Sequence, residues 1–156
     1  MTDDLITGER VALRVPRLGE GNKVLPLRRM HNVVFSPDYR HDHQIFTATW
    51  TQFVKSTDGG RSWKGVTVAP PPPDTDLRQF VIGVSPDYAQ DRTIYLGTRQ
   101  GQLYRSTEGG AAGSWTTASE PGVWIRSLGF SPDFATDHTM FAGTEHGVLV
   151  STDAGA

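Results

Sequence analysis

An all-β fold is what this chain of 156 residues predicts, on three observations. Marker segments recur three times, in the same order and at one period. Between the markers, apolar and polar residues alternate with a period of two, as they do in half-buried strands. Gly (17) and Pro (10) cluster at segment ends, where turns belong, and no stretch reads as a helix of useful length.

The first marker is Ser-Pro-Asp-aromatic-x-x-Asp, written SPDYRHD at 36–42, SPDYAQD at 85–91 and SPDFATD at 131–137. The second is FTAT at 46–49, YLGT at 95–98 and FAGT at 141–144. The third is a Ser-Thr-acid-x-Gly turn that opens at Ser56, Ser106 and Ser151. All three return after about 45–50 residues, the size of one four-stranded propeller blade. The predicted architecture is therefore a β-propeller of four-stranded antiparallel blades, three to this chain. The repeats cover about 28–68, 78–118 and 123–156.

The strands follow in order. The first repeat places them at 31–36, 44–50, 52–56 and 62–68, and the second at 79–85, 93–98, 102–106 and 114–118. The third has 124–131, 139–144 and 147–151, with no fourth strand after them. In each Ser-Pro-Asp marker the proline ends the ladder and the Asp side chains satisfy loop N–H groups. The run APPPPDTDL at 69–77 is a stiff, extended link between the first two repeats. Small residues in the second strands (Ala48, Gly97, Ala142, Gly143) suit blades that taper and pack closely.

Near the N-terminus, residues 9–17 (ERVALRVPR) carry the alternation Val11, Leu13, Val15 and read as one more strand. As a fourth strand it would bring the count to three whole blades. Propellers have about 4–8 blades, so three do not close the usual ring, and the outermost blades would leave apolar faces in water. The expectation is a homodimer forming a six-bladed ring, each N-terminal strand completing the last blade of the neighbouring chain. Open or partial assemblies, a higher ring, a piece of a longer propeller and a disordered N-terminal tail are the alternatives.

The turns have a recognisable chemistry. In Ser56-Thr57-Asp58-Gly59-Gly60-Arg61-Ser62-Trp63 the glycines can take positive φ. The Asp58 carboxylate can accept N–H groups within the turn, and the Trp63 indole can fold back over it. A second copy runs Ser106, Glu108, Gly110 and then, two residues late, Trp115. A third is Ser151, Asp153, Gly155, with no Trp after it. The pattern Ser-x-Asp-x-Gly-x-x-Trp resembles the Asp-box, or BNR, repeat of sialidase-like, sortilin-like and photosystem assembly factor-like propellers. The resemblance implies a turn at the rim between the third and fourth strands, with Asp and Trp in structural rather than catalytic service.

Composition narrows the function. A net charge of −2 argues against a nucleic-acid or anionic-membrane partner. No run approaches the roughly 20 apolar residues of a membrane-spanning helix. With no Cys there is neither disulfide nor thiolate chemistry. The opening MTDDLITGER is acidic and lacks an apolar run, so it does not read as a signal peptide. That leaves a cytoplasmic reading by default, while the Asp-box resemblance implies a tendency to export.

Three constellations have residue types that could carry chemistry. Leu13-Arg14-Val15-Pro16 resembles the sialidase Arg-Ile-Pro motif, whose arginine forks onto a substrate carboxylate. The further arginines, the Tyr–Glu nucleophile pair and the Asp acid/base have no counterpart, because Tyr39, Tyr88, Tyr95 and Tyr104 all sit inside repeat markers. His41 and His43 flank Asp42 and would share one side of an extended loop, which is metal-like. Gln90, Arg92, Thr136 and His138 at the matching positions favour a polar loop, with no metal and no cofactor. Trp50, Arg99, Trp124 and Arg126 stand outside the repeat pattern and are the candidate contacts for a ligand or partner. The functional expectation is a non-enzymatic, self-associating module that presents a rigid surface to a protein partner. An oligomeric lectin binding glycan between blades is the alternative, and a sialidase-like hydrolase the third reading.

Overall fold

The computed structural model describes residues 32–48, 52–68 and 80–156. The N-terminal strand expected at 9–17, the proline-rich link and Trp50 lie outside the described residues. Within them, three antiparallel sheets follow one another along the chain.

The first sheet runs β1 (Val33–Phe35), β2 (Ile45–Ala48), β3 (Phe53–Ser56) and β4 (Lys64–Val66), each strand bonded to the next. The second repeats that order with β5 (Val81–Val84), β6 (Ile94–Gly97), β7 (Leu103–Ser106) and β8 (Thr116–Ser119). The third has β9 (Ile125–Phe130), β10 (Met140–Thr144) and β11 (Gly147–Ser151), and no fourth strand among the described residues. Registers repeat as well: Phe46, Tyr95 and Phe141 sit opposite Lys55, Arg105 and Val150 in the three sheets.

Reading the sequence as free of helix misses one local feature. Each Ser-Pro-Asp marker winds a single helical turn, α1 (Tyr39–Asp42), α2 (Tyr88–Asp91) and α3 (Phe134–Asp137). A turn this short has no periodicity to betray it. His43, Arg92 and His138 end these turns in the left-handed region, at φ of 49°, 51° and 50°. The second Asp of the marker ties the loop. Asp42 accepts the Ser36 hydroxyl at 2.6 Å and the Gln44 N–H at 2.8 Å. Asp91 and Asp137 repeat both bonds with Ser85 and Thr93, and with Ser131 and Thr139. The first Asp gives no side-chain cap to its helix.

Sheets pack face to face, and the core lies between them. Phe46 and Phe53 of the first sheet meet Tyr88, Ile94, Tyr104 and Trp115 of the second. The Trp115 ring stands 5.2 Å from that of Phe53. Between the second and third sheets the core is Tyr95 and Leu103 against Ile125, Phe134 and Met140. Close approach requires glycine in β6: a Cβ on Gly97 would lie 2.6 Å from Ile125 Cγ2 and 2.8 Å from Val81 Cγ1. That is the tight packing expected of the small second-strand residues.

Candidate functional site

The box turns are hydrogen-bonded knots. Ser56 Oγ donates to Asp58 Oδ1 at 2.9 Å and accepts the Gly60 N–H at 2.8 Å. Asp58 also accepts the Ser62 hydroxyl at 2.6 Å and the Ser62 N–H at 2.8 Å, which hold its carboxyl down at about 2. The Trp63 indole N–H donates back to the Gly60 carbonyl at 3.1 Å. In the second copy the Ser114 hydroxyl, 2.6 Å from Ser106 Oγ, takes the place that Asp58 Oδ1 has in the first. Ser106 still accepts the Gly110 N–H at 3.0 Å. The two residues inserted before Trp115 bring that serine into reach, and Glu108 is too long to fold back so tightly. In the third, Ser151 Oγ donates to Asp153 at 2.5 Å and accepts the Gly155 N–H at 2.7 Å.

Each later turn also receives a bond from the preceding sheet. Lys55 Nζ donates to the Gly109 carbonyl at 3.0 Å, and Tyr95 Oη donates to the Ala154 carbonyl at 2.9 Å. Burial, and then the nearby Arg92 and Lys64 charges, lower the Lys55 ammonium below its ordinary range. Gly110 sits so close to the first sheet that a Cβ would lie 2.3 Å from Phe53 Cε1.

Of the candidate contact residues, three come together. Ile125 N–H donates to the Thr98 carbonyl at 3.2 Å, so the β6–β7 turn and the start of β9 are stitched side by side. Gly101 makes that approach feasible, since its φ is +84° and a Cβ would lie 2.3 Å from the Val123 nitrogen. The result places the guanidinium carbons of Arg126 and Arg99 at 3.9 and 5.1 Å from the Trp124 ring centroid. Both arginines are exposed and the indole is half-buried. This is a cation–aromatic patch, suited to an acidic or aromatic partner group.

The histidines do not form a metal pair. His41 lies in α1 and bonds to Asp38, which raises its pKa, whereas His43 turns left-handed and packs its edge on Tyr39 at 5.7 Å. Among the described residues no group of three His, Asp or Glu could hold a metal ion. The helical turn breaks the extended alternation that would have aligned the two rings. Tyr88 and Tyr95 are fully buried and Tyr104 nearly so, as packing residues.

Two features had only a general signal in the sequence. Beside β11, between the second and third sheets, lies a cavity of about 370 Å³ whose lining includes Leu103, Ile125, Met140, Ala142, Leu149 and Gly155. Met140 and Gly155 match Ile45 and Gly60, against which the Trp63 indole packs in the first sheet. The cavity is thus the third repeat's indole slot. Among the described residues nothing covers the outer face of the third sheet: Phe141, Val148 and Val150 are 44, 70 and 62% exposed. At the other end, Val33 and Phe35 are exposed in the same way.

Solved structures share this arrangement. A GH74 enzyme from Niastella koreensis superposes with a TM-score of 0.63 at 22% identity, over 81% of this chain and 21% of its own. An ancestral GH74 enzyme gives 0.57 at 24%, over 80% and 17%. The extracellular domain of a one-component system from B. thetaiotaomicron gives 0.56 at 16%, over 81% and 15%. The three sheets are blades of a β-propeller. The chain spans about a fifth of the length of these neighbours, and at such identity the likeness shows the fold alone. No protein-family model matches the chain, and no curated protein does.

Proposed function

We propose that this chain is a non-enzymatic propeller module of the Asp-box kind, which self-associates and presents a rigid surface to a protein partner. The third blade carries the reading. Its β11 has one edge paired to β10, no fourth strand on the other among the described residues, and an apolar slot beside it. A blade edge of this kind is completed by strand addition. Residues 9–17 of a neighbouring chain supply that strand. Two chains then close a six-bladed ring.

Solution mass across a range of concentrations tests this directly. A dimer in the full chain that is lost when residues 1–20 are deleted supports the reading. A folded full-length monomer at every concentration rejects it. The patch of Trp124, Arg99 and Arg126 is the surface offered to the partner, and acidic groups fit its charge. The same patch favours the second reading, an oligomeric lectin, because the guanidinium groups over the indole offer several hydrogen-bond donors to sugar hydroxyls. A glycan array followed by tryptophan fluorescence separates the two: no glycan shifts the emission of a protein-binding module.

A further inference from the structure

The two internal blade interfaces share one design. A ring from the second strand of one blade meets, edge to face, the first residue of the helical turn in the next. Phe46 and Tyr88 do so at 5.3 Å and 70°. Tyr95 and Phe134 do so at 6.4 Å and 86°. Beside them, the third strand of the leading blade sends Phe53 and Lys55, or Leu103 and Arg105, toward the following one. Among the described residues each half of this design is left uncovered once. Phe141, Val148 and Val150 occupy the leading positions on the third blade and are exposed. Val33, Phe35 and Tyr39 occupy the receiving positions on the first, where Phe35 and Tyr39 pack edge to face at 4.9 Å. A cavity of about 240 Å³ lined by Tyr39, His43, Asp58, Gly59 and Arg61 opens beside them. In the first internal interface the matching place, beside Arg92 and Gly109, receives Lys55.

We infer that the outer face of the third blade docks on the first blade of a second copy of this chain, with Phe141 set against the second copy's Tyr39. This rests on the self-association proposed above and specifies its surfaces. The two faces lie on either side of the second blade and complement each other by the design of the internal interfaces, so a second copy presents a matching face. The third face is also more apolar than its internal counterparts. Val150 replaces Lys55 and Arg105, and Phe141 lacks the hydroxyl of Tyr95. Covering this face therefore removes no charged group from water, as it would at Lys55 or Arg105. The geometry is compatible with strand addition as well. The link from residue 17 to Val33 matches in length that from Val66 to Val81, so a neighbour donating its strand to β11 carries its own first blade to this face.

The chain has no cysteine, so cross-linking starts from an empty background. Phe141→Cys protein is mixed with Tyr39→Cys protein and treated with a short bismaleimide. A covalent dimer in the mixture, and in neither protein alone, is the expected result. A covalent dimer with Phe141→Cys alone would mean that like faces meet, and overturns the inference. So does an absence of cross-link in a mixture whose solution mass is dimeric, which leaves self-association standing. A monomeric mass for the unmodified chain removes both proposals. Phe141→Asp supplies a second readout: self-association weakens by about a hundredfold while the far-UV circular dichroism is unchanged, because the ring is already exposed in one copy. Undiminished dimerisation of that variant also sinks the inference.

Discussion

Replacing Trp115 with Ala tests how the first two blades are held together. Its indole is 3% exposed and packs on Phe53 across the interface. An indole buries about 200 Å². At about 25 cal/mol per Å² its transfer is worth up to about 5 kcal/mol, and truncations of this kind cost about 3–5 kcal/mol. Box-turn bonds from Ser106 to Gly110 and Ser114 do not involve the indole, so the turn itself survives the change. Among the described residues Trp115 Nε1 has no hydrogen-bond partner. Phe at this position therefore sacrifices area but no hydrogen bond, and costs about 1 kcal/mol, as a modest core trim does. Urea titration followed by circular dichroism, at one protein concentration, reads both variants. With a slope of about 2 kcal/mol per M, the Ala midpoint falls by about 2 M and the Phe midpoint by about 0.5 M. If Ala costs less than about 1.5 kcal/mol, or if Phe costs as much as Ala, the interface is not held by indole packing and the reasoning fails.

Three further outcomes follow from the same geometry. Gly110→Ala places a methyl 2.3 Å from Phe53 Cε1 at a φ of +74°, and loses about 2–4 kcal/mol from overpacking and backbone strain together. Gly113→Ala, at a φ of +80° with open space around it, loses only about 1 kcal/mol; similar thermal melts for the two would discount the steric argument. The Asp58 carboxyl is depressed from 3.8 to about 2, so its stabilisation is fully present above pH 3.8 and fades as pH falls toward 2. Asp58→Asn should flatten that part of the stability profile, and an acid titration with the unmodified slope counts against the Ser62 bonds as its source. Tyr88→Phe strands the buried Gln44 Oε1, which now accepts the Tyr88 hydroxyl at 2.9 Å, at a cost of about 1–3 kcal/mol by the same urea assay. A neutral result there shows that Gln44 finds another donor.

The repeats made most of the fold legible before any coordinates. Ser-Pro-Asp loops, alternating strands and Ser-x-acid-x-Gly turns act over a few residues, so their chemistry is written locally. Each strand starts and ends within a residue or two of its expected place, such as β9 at Ile125–Phe130 for 124–131. One-turn helices escaped, since four residues carry no period. That turn is why His41 and His43 do not share one side of an extended loop.

What the tertiary structure decided is everything that depends on two blades at once. Glu108 looked like a substitute for Asp58, but Ser114 answers Ser106 instead, because the insertion changes which side chain can reach. Arg99 and Trp124, 25 positions apart in number, become neighbours only because Ile125 bonds to Thr98. The indole-sized cavity and the bare Phe141 face exist because a blade covers its apolar surface with the next blade, and not with itself. Local turn chemistry is short-ranged and survives in a string of letters. Burial is a sum over neighbours from distant parts of the chain, and only the packed molecule performs it.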